Sequence, residues 1–312
     1  MPALLTALLL AAGSPPVLNL PERELRPPRI PPAEIDNALE VTGEALKARE
    51  ADTRLTIDVA LNGQGPFRFL VDSGADRTVV GRNLAAQLAL EPGPSVRVVT
   101  MADASDVATV RVGSLGMGRS SVDGLTAPAL AEEHLGAQGI LGIDALAEQR
   151  VSLDFDARRI TIQHRRIPVV SDPHEIVVVA RRRNGQLIIT RAAAAGNPVY
   201  AIIDTGSEIT LGNSALRQRI FGARRALKSE PIEITAVSGQ KITADLVVLP
   251  EVQVGDITLT DVPLAFADVP PFALFGLDRQ PSMLLGTDVL RAFKRVSLDF
   301  ASRRVRFQVR RR

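Results

Sequence analysis

The chain has 312 residues, a formal net charge of +2, 46% hydrophobic residues and 23% charged residues, which is the composition of an ordinary soluble globular protein. Cysteine is absent, which excludes a disulfide framework, a thiolate nucleophile and any cysteine-ligated metal. The small charge surplus assigns no partner by itself, and aromatic residues that could stack on bases make up only 4% of the chain, so no nucleic-acid partner is expected.

The chain begins with an apolar block over residues 1–13 that ends in Ala11, Ala12 and Gly13. It is too short to span a bilayer, which takes roughly 20 apolar residues, but it has the length of a signal-peptide core. We therefore expect residues 1–13 to be a signal peptide or apolar anchor, which implies a periplasmic or secreted protein near a membrane. No Lys or Arg precedes the block, so an apolar tail or a start further upstream stays open. Without a signal the location would be cytoplasmic.

Residues 14–52 are predicted to be a linker. Seven prolines lie between Pro15 and Pro32, and proline lacks the amide donor that helices and central strands need. This stretch is therefore predicted to be an extended tether, followed by one short helix from Ile35 to Ala48.

Residues 53–168 are predicted to form an N-terminal lobe made of strands. Leu55 to Leu61 alternates apolar and polar residues, a glycine-rich turn follows, and Phe67 to Val71 returns as an apolar strand. This strand leads directly into Asp72-Ser73-Gly74. A carboxylate that follows buried strand residues in this way is costly to place.

Residues 174–312 are predicted to form a C-terminal lobe with the same plan. Strands over Gln186 to Ala192 and Val199 to Ile203 lead into Asp204-Thr205-Gly206. The second copy is predicted to have one additional hairpin of its own, because Glu175 to Arg183 is joined to Gln186 by an Asn-Gly pair that is typical of two-residue turns.

The elements after each triplet also correspond. Each copy is predicted to contain a helix with an Asn as its N-cap, then a hairpin with a polar tip, then a short helix and a closing strand. The first helices are Asn83 to Leu90 and Asn213 to Phe221; the hairpins are Ser95 to Val112, with Ala102 and Asp103 at its tip, and Ile232 to Val248, with Ser238 and Gly239 at its tip; the later helices are Ala145 to Gln149 and Val289 to Phe293.

A second pair of matching segments establishes an internal duplication. Val151 to Ile160 and Val296 to Val305 share seven of ten residues, and the apolar-apolar-Gly segments that end at Gly142 and Gly286 precede them in the same order. The offset between the copies is smaller at the triplets than at the closing strands, as expected for loops of different length. A period of more than a hundred positions indicates a duplicated domain, since solenoid repeats have periods of roughly 20 to 50 residues.

Two equivalent carboxylates can activate a water molecule and protonate a leaving amine, provided that one is ionised and the other is not. Two anions about 4 Å apart repel each other by about 4 kcal/mol at an effective dielectric constant near 20, which is roughly three pK units. A facing pair would therefore hold one proton over a wide pH range, and its titration would belong to the pair. The duplication supplies two equivalent carboxylates of this kind, Asp72 and Asp204.

Over roughly residues 53–309 the chain resembles the retropepsin-like and pepsin-like aspartic peptidases. The resemblance rests on the strand–turn–strand–Asp-Ser/Thr-Gly pattern and the later apolar-apolar-Gly segment, both present in each half. It implies an all-β, bilobal fold with short helices, in which each lobe supplies one catalytic aspartate, Asp72 or Asp204. It further implies an endopeptidase that acts as a monomer on a peptide or protein substrate without metal or other cofactor.

The resemblance also assigns roles around the two aspartates. The hydroxyl groups of Ser73 and Thr205 would bond across the twofold axis, and Gly74 and Gly206 would bring backbone amides to the carboxyl groups. The resemblance further implies glycines that pack beneath the catalytic loops and hairpin tips that act as flaps. The glycines are Gly142 and Gly286, and the tips are Ala102 with Asp103 and Ser238 with Gly239.

Some residues depart from the family pattern. The tip of the first hairpin lacks glycine, and the chain has one tyrosine, Tyr200, which precedes a catalytic strand instead of lying on a flap. Asp76 and Glu208 resemble acids that pair with an arginine or hold the substrate main chain, but the sequence does not name their partners.

Other interpretations stay open at this point. The two triplets could be ordinary turns, and the same fold could be a catalytically idle module that binds peptides. Asp144 and Asp288 are interpreted as helix N-caps, and Asp154 and Asp299 as structural residues. Neither the histidines nor the glycines near residue 116 show the spacing of a metal or phosphate site. The histidines are His134, His164 and His174.

Overall fold

The computed structural model describes residues 17–19, 45–47, 49–51, 54–164, 175–183, 185–222 and 229–310. The predicted signal segment, most of the linker and the predicted seam between the lobes, Ile167 to Pro173, lie outside these residues. Among the described residues, no helix has the length and apolar character needed to cross a membrane.

The first half of the chain contains twelve strands and three short helices in the described ranges. The strands are β1 Val17–Asn19, β2 Ala45–Lys47, β3 Arg49–Ala51, β4 Arg54–Leu61, β5 Gln64–Val71, β6 Val79–Gly81, β7 Pro92–Val99, β8 Ala104–Met117, β9 Ser120–Leu130, β10 Gly139–Leu141, β11 Gln149–Asp154 and β12 Arg159–His164. The helices are α1 Arg82–Gln87, α2 Glu132–Leu135 and α3 Ile143–Leu146.

The second half repeats this order, with ten strands and three helices in the described ranges. The strands are β13 Glu175–Arg183, β14 Gln186–Ala194, β15 Asn197–Ile203, β16 Leu211–Gly212, β17 Glu230–Thr235, β18 Lys241–Val254, β19 Ile257–Phe266, β20 Ser282–Leu285, β21 Arg295–Asp299 and β22 Arg304–Gln308. The helices are α4 Ser214–Phe221, α5 Pro270–Leu274 and α6 Thr287–Leu290.

Each half folds into a closed six-stranded barrel. In the first lobe the order is β4-β5-β10-β6-β9-β8, and β8 returns to pair with β4. In the second lobe the order is β14-β15-β20-β16-β19-β18, and β18 returns to pair with β14. The predicted all-β fold with two lobes is therefore confirmed.

Tight turns set the register of the two strands that precede each triplet. Asn62 and Gly63 join β4 to β5, and Ala195 and Gly196 join β14 to β15, all four with positive φ. Two-residue turns of this kind match the right-handed twist of the flanking strands. Each turn aligns its hairpin so that apolar side chains face the barrel interior; Phe69 and Ala201, for example, are fully buried.

The helix after each triplet differs between the copies at its first residue. Asn213 is the N-cap of α4, as predicted, and its side chain accepts a hydrogen bond from the Leu216 amide. The prediction for Asn83 is wrong, since α1 begins at Arg82 and Gly81 is its N-cap. A carboxylate from α2 takes over the capping role, because Glu132 Oε1 accepts a hydrogen bond from the Leu84 amide at 2.8 Å.

The two lobes share a sheet in which β11 of the first lobe pairs with β21 of the second. These strands are the duplicated segments themselves, paired antiparallel with Ser152 opposite Ser297. The order continues outward to β12 and β2 on one side and to β22 and β13 on the other. The pseudo-twofold axis therefore passes between the two serines.

Two equivalent ion pairs flank this axis. Arg150 Nε lies 3.5 Å from Asp299 Oδ2, and Arg295 Nη2 lies 2.8 Å from Asp154 Oδ2. Burial raises the pKa of each aspartate, but hydrogen bonds from a turn amide and the paired arginine bring the net pKa below its ordinary value. The structural role predicted for Asp154 and Asp299 agrees with these positions.

The hairpin predicted as unique to the second copy has a counterpart in the first. β13 pairs with β22 through its first half and with β14 through its second half. In the first lobe β2 pairs with the equivalent strand β12, and β3 pairs with β4. The helix predicted from Ile35 to Ala48 is therefore wrong over residues 45–47, because pairing with β12 supplies backbone hydrogen bonds that outweigh local helix propensity.

One further strand lies within the predicted tether. β1 pairs in parallel with β19, with Val17 opposite Thr258. The three residues of β1 contain no proline, so each amide is available for a ladder even though prolines precede and follow it.

Candidate active site

Asp72 directly follows strand β5 of the first barrel, and Asp204 directly follows strand β15 of the second. The Asp72 amide donates to the Leu141 carbonyl at 3.1 Å, and the Asp204 amide donates to the Leu285 carbonyl at 3.0 Å. Each aspartate is thus held at the point where its strand leaves the parallel pairing with β10 or β20. Their equal positions follow from the duplicated sequence.

Each carboxylate is oriented by its own loop. Asp72 Oδ1 accepts hydrogen bonds from the amides of Gly74 and Ala75, at 2.7 and 3.1 Å. Asp204 Oδ1 accepts them from the amides of Gly206 and Ser207, at 3.0 and 3.1 Å. One oxygen of each carboxyl group is therefore fixed by backbone donors.

The two loops are joined by four hydrogen bonds that cross the axis. The Ser73 hydroxyl donates to the Ile203 carbonyl and accepts from the Thr205 amide, at 2.9 and 3.1 Å. The Thr205 hydroxyl donates to the Val71 carbonyl and accepts from the Ser73 amide, at 2.8 and 2.9 Å. Because both hydroxyl groups are buried, these bonds fix the separation of the two loops.

The glycines of the triplets face the aspartate of the opposite lobe. A Cβ atom built on Gly74 would lie 2.6 Å from Asp204 Oδ1, and one on Gly206 would collide with the carboxyl group of Asp72. The two carboxyl groups are also close enough that each affects the pKa of the other. The structure therefore brings Asp72 and Asp204 together as a facing pair.

A second layer beneath the pair contains Gly142 and Gly286. A Cβ on Gly142 would overlap the backbone at Arg77 and Thr78, and a Cβ on Gly286 would lie 2.6 Å from the backbone carbon of Ile209. Glycine is needed at both positions because the loops after the triplets pass directly over them.

Two threonines and two aspartates complete this layer, and sequence reasoning missed their role. The Thr78 hydroxyl accepts from the Gly142 amide and donates to Asp144 Oδ1, at 3.2 and 2.7 Å. In the second lobe Thr210 does the same with Gly286 and Asp288, at 3.0 and 2.7 Å. Asp144 and Asp288 are therefore not N-caps, since Gly142 and Gly286 occupy those positions. Thr78 follows Asp72 at the same spacing as Thr210 follows Asp204, and this match was the signal available in the sequence.

Burial dominates the electrostatics of the facing pair. Burial and then repulsion by Asp72 raise the pKa of Asp204 from 3.8 to about 8, even though two backbone hydrogen bonds lower it. Burial also raises the pKa of Asp72, but the amides of Gly74 and Ala75 and the charge of Arg54 offset part of this increase. The pair therefore retains one proton well above the ordinary pKa of an aspartate.

Asp76 and Glu208 bind partners from the opposite lobe. Glu208 Oε1 lies 3.1 Å from Arg54 Nε at the start of β4, and both side chains are buried. Asp76 Oδ1 accepts from Gln186 Nε2 at 2.7 Å at the start of β14. Sequence reasoning missed Arg54 and Gln186, although each precedes the aspartate of its own lobe by the same interval.

The predicted flap tips lie in the β7–β8 and β17–β18 hairpins and contact each other. Thr100 Oγ1 lies 3.5 Å from Ser238 Oγ, and Gln240 Nε2 donates to Asp103 Oδ2 at 3.2 Å. Ala102 donates its amide to Thr100 within the first tip. The Gly239 backbone has a φ of +85° and packs against the His134 ring of the first lobe.

Each tip also reaches an apolar cluster of the other lobe. Met101 packs against a second-lobe cluster that includes Leu284 and is also contacted by Ile209. Val237 packs against a first-lobe cluster that includes Ile140 and is also contacted by Ala75. Ile209 and Ala75 follow the two triplets, so each hairpin tip packs on the same apolar cluster as a loop of the aspartate pair.

Within the described ranges, no group of three or more His, Asp or Glu side chains is arranged to hold a metal ion. The site combines an aspartate pair that shares one proton, two loops joined by hydrogen bonds as its floor, and two hairpin tips that contact each other. These groups are suited to activating a water molecule against an extended chain held between hairpins and floor.

Two families match the chain, one in each lobe. Residues 57–148 match the family described as "gag-polyprotein putative aspartyl protease". Residues 190–289 match the family described as "Aspartyl protease". No curated protein matches the chain.

Proposed function

Because this chain belongs to the retropepsin-like aspartic peptidases, with one family match in each lobe, we propose that it is an aspartic endopeptidase whose catalytic residues are Asp72 and Asp204. The two families support peptide hydrolysis as the general activity. The observation that carries the finer proposal is that the carboxyl groups of Asp72 and Asp204, one from each lobe, face each other across the joined triplet loops.

In the proposed reaction the ionised carboxylate removes a proton from a water molecule, and the water oxygen attacks the scissile carbonyl carbon. The protonated carboxyl group donates its proton to the carbonyl oxygen, which yields a neutral gem-diol. The first carboxyl group then protonates the amine, the C–N bond breaks, and a gem-diol hydroxyl returns its proton to the second carboxylate. The pair ends with one proton, as it began.

The hydrogen bonds between Ser73 and Thr205 support this proposal because they fix the carboxyl groups without using their free oxygens. Positioning within a fraction of an ångström matters, since small displacements of reacting groups lower rates strongly. The meeting flap tips support an extended substrate that is enclosed from both lobes.

The direct test is cleavage of an unfolded polypeptide mixture by the full chain between pH 3 and 8, with new termini identified by mass spectrometry. Asp72→Asn and Asp204→Asn should each reduce cleavage by at least about 10³-fold, because either change removes the shared proton or the base. Asp256→Asn is the matched control, since Asp256 is an exposed carboxylate.

Cleavage that persists in both active-site variants would disprove the assignment. Binding of a peptide with a hydroxyethylene group in place of the scissile amide, without cleavage of ordinary peptides at any pH, would instead identify a binding module.

We further propose a monomer, since one chain supplies both carboxyl groups, and export if residues 1–13 act as a signal.

A further inference from the structure

The duplicated site is symmetric in its backbone but not in its charge. Arg54 and Gln186 are equivalent positions of the two copies, with the same offset that relates Asp72 to Asp204 and Asp76 to Glu208. Arg54 forms an ion pair with Glu208, while Gln186 donates a hydrogen bond to Asp76. One copy thus has a cation where the other has a neutral amide.

The two side chains also occupy equivalent places in the fold. Arg54 is 2% exposed, and its Nη1 lies 3.5 Å from the Gly206 carbonyl of the opposite loop. Gln186 is fully buried, and its Nε2 donates to the Gly74 carbonyl at 3.1 Å. Each side chain therefore binds the backbone of the opposite triplet and the acid that follows that triplet. The charge of the two side chains differs.

We propose that Arg54 is a positioning residue that places the negative charge of the pair on Asp72 and the proton on Asp204. Asp72 then acts as the base that activates water, and Asp204 as the acid that protonates the scissile carbonyl. This assignment of roles rests on the proposed function.

The groups around the pair support the direction of this effect. Arg54 lies against the carbonyl of Gly206, the glycine that faces the Asp72 carboxyl group. From there its charge lowers the pKa of Asp72, although Arg54 is also paired with Glu208. The pKa of Asp204 is instead raised, first by burial and then by the charge of Asp72. An opposite charge within a few ångströms favours the ionised form of a carboxyl group. When two aspartates share one negative charge, that charge therefore resides mainly on the aspartate nearer the cation.

The experiment measures each carboxyl group alone, because a coupled pair has no individual titration. Asp72 is titrated in the Asp204→Asn variant and Asp204 in the Asp72→Asn variant, by NMR of ¹³C-labelled aspartate carboxyl groups. Asp72 should titrate at lower pH than Asp204. Adding Arg54→Gln should move the Asp72 titration upward by about one pH unit, and that of Asp204 by clearly less.

The reciprocal change is a second, independent test. Gln186→Arg in the Asp72→Asn background should move the Asp204 titration downward, because a cation would then lie beside Gly74, the glycine that faces the Asp204 carboxyl group. Arg54→Lys is the matched control, since it keeps the charge and should leave the Asp72 titration nearly unchanged. If Arg54→Gln does not fold because Glu208 is buried, Arg54→Gln/Glu208→Gln removes both charges.

Activity supplies the last readout. The acid limb of the pH–rate profile should move to higher pH in Arg54→Gln, and Arg54→Gln/Gln186→Arg should move it back. Equal shifts of both titrations on Arg54→Gln would overturn the proposal while leaving peptide hydrolysis intact. Shifts in the expected directions in a protein that cuts no peptide would retain the charge assignment and overturn the proposed function.

Discussion

Ser152 and Ser297 meet at the centre of the molecule, with their hydroxyl oxygens 2.7 Å apart. They are the same position of the two repeats, and they lie opposite each other in the β11–β21 pair. A residue that pairs with its own repeat must lie on the pseudo-twofold axis, so this contact marks where the two lobes join.

Either serine should lose stability when changed alone. Ser152→Ala or Ser297→Ala leaves the other hydroxyl without this partner and should lower the free energy of unfolding by about 1 kcal/mol. In the double variant the loss should be smaller than the sum of the single losses, because the two residues share one bond. Urea denaturation of the four proteins measures this, and strict additivity would contradict a direct contact.

The two interlobe ion pairs should differ in their contribution although they are related by the duplication. Arg150 is 8% exposed, whereas Arg295 is 39% exposed and can turn towards water. We therefore expect Asp299→Asn to lower the free energy of unfolding by on the order of 3 kcal/mol and Asp154→Asn by about 1 kcal/mol.

Both aspartates have a lowered pKa in the folded state, so their contribution is present above pH 4 or so and is lost as pH falls through the lowered pKa. Melting curves should consequently separate the variants at pH 7 and bring them together near pH 2. Equal losses of the free energy of unfolding at pH 7 in the two variants would show that exposure of the arginine does not change the contribution of its ion pair.

Stability should depend on pH in the opposite sense through Asp204. Its pKa is raised from 3.8 to about 8 in the folded state. A raised pKa means that the folded protein binds the proton more tightly, so stability is greatest at acidic pH and falls as pH rises from about 4 towards 8. Asp204→Asn cannot lose this proton, so its melting temperature should exceed that of the wild type at pH 8 and approach it near pH 4. A melting temperature that responds to pH equally in the two proteins would contradict a raised pKa at this position.

The Thr205 hydroxyl should matter more than its methyl group. Thr205→Val keeps the shape but leaves the Ser73 amide and the Val71 carbonyl without their partner, which should destabilise the protein by about 2–4 kcal/mol. It should also lower kcat, because two of the four hydrogen bonds that join the aspartate loops are lost. Thr205→Ser is the control and should retain most of both properties; similar losses in the two variants would assign the effect to packing.

Glycine at position 239 should be required for closure of the second hairpin. Its φ of +85° is unfavourable for other residues, and an added Cβ would lie 2.8 Å from Cδ2 of His134. Gly239→Ala should therefore raise KM several-fold with little change in the melting temperature, because the hairpin tip is not part of the barrel. Gly124→Ala is a matched control, since Gly124 also has a positive φ but nothing within 4 Å of an added Cβ. An unchanged KM would show that this tip does not cover the substrate.

Much of the molecule follows from local pattern and repetition. The alternating strands, the turns before each triplet and the two equivalent aspartates are properties of short segments, and the copies reinforce each other. Local predictions were wrong where distant residues replaced a local one. For example, Glu132 caps α1 instead of Asn83, and β12 pairs with residues 45–47 of the predicted helix.

The duplication, the all-β class and the equivalence of the two carboxyl groups could be predicted from the sequence, because strand periodicity and an internal repeat are readable without contacts. The folded molecule was needed to show that Arg54 binds Glu208, that Gln186 binds Asp76 and that Asp144 and Asp288 bind threonines rather than cap helices. These partners lie far apart along the chain, and an arginine or glutamine at the start of a strand carries no periodic signal. The pairings of Arg54 and Gln186 arise when two closed barrels are joined about an axis, which brings the start of a strand in one lobe onto the loop of the other. The threonine–aspartate bonds form within each barrel.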